Sequence, residues 1–120
     1  KKQDEKPPAS LLLPKEVDAA KVGAIVESMF LARDMINLPA NILGPAEVEE
    51  IASKLAGEHG AELRVVKGAE LEEGYPMIHA VGKASTRPPR LVEMKWGYEN
   101  KDAKATVALV GKGVVFDTGG

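Results

Sequence analysis

Gly111-Lys112-Gly113-Val114-Val115-Phe116-Asp117-Thr118-Gly119-Gly120 is the stretch whose reading decides the fold. A β-branched and aliphatic run at residues 106–110 leads into it and predicts a buried strand. Four glycines then surround one lysine and one aspartate. Glycine is used where the backbone must take positive φ or pass close to another group. Two ionisable side chains on such a loop, just past a strand, lie where α/β proteins place their chemistry.

Working outward from the loop, the chain of 120 residues has room for one domain and a moderate core. With 44% hydrophobic and 28% charged residues, its composition is that of an ordinary globular protein. A net charge of −2 supplies no electrostatic attraction for nucleic acid or an anionic membrane, so neither is expected as a partner. The absence of cysteine excludes disulfides, thiolate metal sites and a cysteine nucleophile. No apolar run approaches the ~20 residues of a membrane span. The charged N-terminus lacks the apolar segment of a signal peptide, so the expected location is the cytoplasm.

Residues 1–16 are charged and proline-containing and read as a linker or tail. Leu11-Leu12-Leu13 is expected to pack onto something before Pro14. Asp18 is the expected N-cap of a helix over residues 19–37, with Val22, Ile25, Val26, Met29, Ala32 and Ile36 as its apolar face. Pro39 stops it. Pro45 suits the first position of a second helix and Gly60 its left-handed stop; Val48, Ile51, Ala52 and Leu55 give its apolar face. Strands are expected at residues 61–67, 90–97 and about 105–110. A short helix plus turn is expected at 68–74, and the apolar residues 75–81 suit either helix or strand, with a short helix preferred. Together these make an α/β layer.

Four readings of the terminal loop compete. A strand followed by Gly-x-Gly suggests a phosphate loop, but Phe116 stands where the third glycine of the dinucleotide fingerprint belongs, and Lys112 lacks the Walker spacing. Asp117-Thr118-Gly119 resembles the loop of an aspartic protease, but two long helices precede it and Gly120 replaces the usual Ser or Thr. Metal ligation is the third reading. Asp117 offers oxygens that can bridge two cations, and Lys112 offers an amine once it has lost its proton. The fourth is a plain glycine turn with both side chains solvated or paired.

Val110-Gly111-Lys112-Gly113-Val114-Val115-Phe116-Asp117-Thr118-Gly119-Gly120 closely resembles the first metal-binding signature of the leucyl aminopeptidase family. Leu31-Ala32-Arg33-Asp34-Met35-Ile36-Asn37-Leu38-Pro39-Ala40-Asn41 is similar to the start of that family's catalytic domain, and Ala80-Val81-Gly82-Lys83-Ala84-Ser85 and Pro88-Pro89-Arg90-Leu91 to elements between. The resemblance covers residues 17–120. It implies an incomplete, N-terminal portion of a mixed-sheet, helix-flanked α/β catalytic domain, truncated after the first metal-binding loop. It further implies a cytosolic exopeptidase that binds two divalent metals, zinc or manganese, acts on peptide substrates and assembles as a hexamer.

Lys112 matches the family's lysine ligand to one metal, and Asp117 the carboxylate that bridges both. Thr118 stands where many members have serine. The family's electrophilic lysine, its remaining carboxylate ligands and its arginine fall beyond Gly120, so no catalytic residue is expected within the chain and the 120 residues alone are expected to be inactive. The alternative is a non-catalytic domain or interaction fragment. Elsewhere, His59 and His79 share no ligand spacing, Trp96 and Phe116 are expected in the core, and Asn37 and Asn41 are expected to brace the connection between the helices. Glu70, Glu72 and Glu73 form a solvated acidic face. Glu50 and Lys54 form a surface pair.

Overall fold

The computed structural model describes residues 9–10 and 12–115 of the chain. It divides into two units, Lys1–Asn37 and Leu38–Gly120.

The first unit carries helix α1, Ala19–Asn37. Its N-terminus is set as the sequence predicts. Asp18 Oδ1 accepts from the backbone N–H groups of Ala20 at 3.0 Å and Lys21 at 3.1 Å, satisfying two donors that the helix leaves open. The expected single apolar face is too simple. At 3.6 residues per turn, Leu31 falls on the side opposite Val22, and Leu31 and Met35 are half-buried while Met29 and Ile36 are exposed. The helix is apolar nearly all round, and none of its residues is buried. Leu12 and Leu13, expected to pack, are exposed.

The second unit runs α2 (Pro45–His59), β1 (Glu62–Lys67), α3 (Ala69–Gly74), α4 (Pro76–Gly82) and β2 (Arg90–Lys95). A tight turn opens it, with the N–H groups of Ile42 and Leu43 both donating to the Pro39 carbonyl at 2.9 Å. Gly44 is the N-cap of α2, and Pro45 takes the first position, where a missing N–H costs nothing. Glu47 reaches back to accept the Gly44 N–H at 2.8 Å. Gly60, at φ 64°, ends the helix in the left-handed conformation, returning its N–H to the Ala56 carbonyl.

Strands β1 and β2 pair antiparallel, from Glu62 opposite Lys95 to Lys67 opposite Arg90. Helices α3 and α4 occupy the long connection between them. Helices α2 and α3 pack on β1, and α2 and α4 on β2. The core lies where α3 meets β1: Val66 and Leu71 are fully buried and Ala56 of α2 is 4% exposed.

The α/β class and the order of helices and strands up to β2 match the sequence expectation. The final strand does not. Residues 103–115 follow two turns, from Asn100 N–H to the Gly97 carbonyl and from Ala103 N–H to the Asn100 carbonyl, and then run outside any regular element. Val107, Leu109 and Val110 are 78%, 93% and 97% exposed. A strand exists only through ladder hydrogen bonds to a neighbour, and the sheet of the described residues holds only β1 and β2.

Candidate functional site

The segment from residue 103 delivers Lys112, which stands exposed between Gly111 and Gly113. Asp117, its expected companion, lies outside the described residues, as do Phe116, Thr118, Gly119 and Gly120. Among the described residues no group of three or more His, Cys, Asp or Glu side chains is placed to hold a metal ion. Zinc takes about three or four protein ligands, so the described donors do not by themselves fit one. His59 and His79 form no common site. The His59 carbonyl accepts from Trp96 Nε1 at 3.1 Å, and His79 Nδ1 lies 3.8 Å from Glu72.

The charges that the fold does gather lie along the first turns of α2. Glu47 Oε2 accepts from Arg87 Nη2 at 2.6 Å as well as from the Gly44 N–H. Glu49 accepts from Lys67 of β1 at 3.1 Å and from Arg90 of β2. Glu47's own backbone N–H and that of Gly44 hold its carboxyl below the usual range, with Arg87 adding to the effect. Hydrogen bonds from Lys67 and then Arg90 do the same for Glu49. Arg90 is only 11% exposed, and its buried Nε has no partner among the described residues. Across β1, Arg64 donates to Glu70 at 2.8 Å, which raises the pKa of the guanidinium.

This network corrects several expectations. The interhelix connection is braced by Arg87, whose Nη1 donates to the Ala40 carbonyl, rather than by Asn37 or Asn41. Glu70 is paired rather than simply solvated. Lys54 lies 3.9 Å from Glu58 rather than pairing with Glu50. Trp96 is 72% exposed and covers the end of α2 instead of entering the core. Arg87 escaped the sequence reading because its partners stand 40 to 47 residues away. The signal available was a basic residue on each side of Pro88-Pro89.

A family model described as "Cytosol aminopeptidase family, catalytic domain" matches residues 30–120. The chain belongs to the cytosol aminopeptidase family. Its sequence is 44% identical over 97 residues to a probable cytosol aminopeptidase of Corynebacterium glutamicum, covering 80% of this chain and 19% of that protein. Against a probable cytosol aminopeptidase of Agrobacterium fabrum it is 41% identical over 130 residues, covering the whole chain and 26% of the relative. The crystal structure of cytosol aminopeptidase from Coxiella burnetii is similar at a TM-score of 0.64 and 36% identity, over 67% of this chain and 18% of that one. The chain therefore spans about a fifth to a quarter of the length of the curated relatives it matches. No helix among the described residues is long and apolar enough to cross a membrane.

Proposed function

We propose that the protein carrying this chain is an aminopeptidase that releases N-terminal residues from peptides with the help of two divalent metals. In this reading residues 1–16 are a linker or tail, and residues 17–120 are the leading portion of the catalytic domain. The observation that carries the proposal is the catalytic-domain match over residues 30–120, which includes Lys112 and Asp117.

Lys112 is assigned as ligand to one ion and Asp117 as the carboxylate bridging both. Bound zinc or manganese supplies Lewis-acid polarisation of a carbonyl and a hydroxide near neutral pH. Two ligands are too few to retain an ion, so the 120-residue chain alone is inactive. An α1 that is apolar nearly all round supports burial within a larger domain. The resemblance adds a cytoplasmic location, a peptide substrate and a hexameric assembly, and the net charge of −2 gives no electrostatic reason for a nucleic-acid or membrane partner.

The test compares hydrolysis of leucine p-nitroanilide by the chain and by the longest reading frame containing it, each supplied with zinc or manganese. The longer protein is expected to turn over and the chain to be inert. An inert longer protein refutes the aminopeptidase assignment, and an active chain refutes its inactivity. Exposure of Val107, Leu109 and Val110 favours a second reading, a non-catalytic interaction fragment. A reading frame that stops at Gly120 leaves only that one.

A further inference from the structure

The connection at residues 38–44 has little of its own to hold it. Its internal bonds are the two from Ile42 and Leu43 to the Pro39 carbonyl. The connection at residues 83–89 is in the same position, because Pro88 and Pro89 have no N–H to donate. One side chain joins the two. Arg87 Nη1 donates to the Ala40 carbonyl, and Nη2 donates to Glu47 Oε2 at 2.6 Å and more weakly to the Ile42 carbonyl at 3.5 Å. Its own backbone N–H donates to Ser85 Oγ at 3.0 Å, which fixes the loop around it.

Gly44 completes the seat. It is buried, and a Cβ built on it would come within 2.6 Å of Arg87 Nη2 and closer still to the guanidinium carbon. The φ of −114° at Gly44 is open to any residue, so space for the guanidinium, and not backbone conformation, is what glycine provides there. Glu47 then closes the arrangement by accepting from Gly44 and Arg87 through the same oxygen.

We propose that Arg87 is a latch coupling the connections at residues 38–44 and 83–89, so that releasing either one disorders both. The planar fork of the guanidinium suits the task, since it reaches two carbonyls and a carboxylate from one rigid group. A lysine ammonium, a point charge on a flexible stem, does not.

Hydrogen exchange with mass spectrometry on the protein that carries this chain tests the coupling. In Arg87→Ala, the amides of residues 42–44 and of 85–87 are expected to lose protection together, by about tenfold or more, the scale of hydrogen bonds to a charged group. Gly44→Ala keeps the arginine but occupies its seat, and is expected to give the same paired pattern. Arg87→Lys is expected to give the paired loss too, at smaller size. If Arg87→Ala does not fold, the other two variants carry the test. Loss confined to one connection, unchanged protection, or a uniform loss that includes β1 and β2 would overturn the latch.

Discussion

Leu71→Ala is the perturbation that best tests where this fold keeps its stability. Leu71, on α3, and Val66, on β1, are the two fully buried large side chains among the described residues, and Ala56 is the third member of the core. Truncating a fully buried leucine costs about 2–5 kcal/mol, the spread reflecting how far the surroundings collapse into the space left. Apart from Ala56, Val66 and Leu71, the apolar side chains described in this unit are half-buried or exposed, so the surroundings are free to close partly around the cavity. The expected cost is therefore in the lower half of that range, about 3 kcal/mol. Ordinary domains have only ~5–15 kcal/mol in total, and a unit with three buried apolar side chains among its described residues stands at the low end. At 1.4 kcal/mol per factor of ten, the loss corresponds to about a hundredfold drop in amide protection across β1 and β2. Hydrogen exchange on the chain measures it directly. Met77→Ala, at a position 80% exposed, is the control and should change protection by no more than about twofold. A Leu71→Ala chain whose sheet amides lose less than about threefold would place the core elsewhere and refute the reasoning.

On the proposed assignment of Asp117 as the carboxylate bridging both ions, Asp117→Asn in the protein that carries this chain should cost more activity than Lys112→Met; steady-state kinetics of the two variants decide it. Calorimetry of the 120-residue chain with zinc should find no binding tighter than about micromolar, since two ligands are too few. The carboxyls of Glu47 and Glu49 are held below their ordinary value of 4.5, so the stability they contribute is present above that pH and lost as pH falls through their lowered folded values. Urea midpoints of the chain should therefore fall on acidification below 4.5, and Glu49→Gln should flatten that fall; an unchanged slope in the variant would refute the assignment. Residues 106–110, exposed here, should exchange at unprotected rates in the chain and be protected in the longer protein. The same exposed apolar groups should make the isolated chain associate, and a monomeric chain with a sharply cooperative melt in light-scattering and thermal scans would contradict that.

What was legible in the sequence follows from how far apart the determining groups lie. Helix α1 was readable to its ends because Asp18 caps it two and three residues away and Pro39 stands just past its last turn. Helix α2 was readable because Pro45, Glu47 and Gly60 mark both its ends locally. The braces were not readable, since Arg87 meets Ala40 and Glu47 across 47 and 40 residues. Trp96 was misread for a related reason. Its large apolar ring suggests burial, but its indole N–H has a partner at the His59 carbonyl, and that contact holds it at the end of α2, largely exposed.

The terminal segment separates two kinds of legibility within a few residues. Its resemblance to a family signature is local, because it rests on a lysine, an aspartate and flanking glycines at fixed spacing. Its conformation is not local. Thr106-Val107-Ala108-Leu109-Val110 has apolar residues on both sides of an extended chain, the pattern of a strand buried on both faces. Such a strand needs neighbours in the sheet and covering layers, and neither β1 nor β2 pairs with it. Helices close their hydrogen bonds within themselves and so form wherever local signals are strong, whereas a strand borrows its bonds from elsewhere. For this chain, the segment leading to Lys112 is therefore the one expected strand that takes no regular form among the described residues. The same dependence explains why Lys112 stands exposed: a loop is positioned by the strand that delivers it, and that strand requires partners which β1 and β2 do not supply.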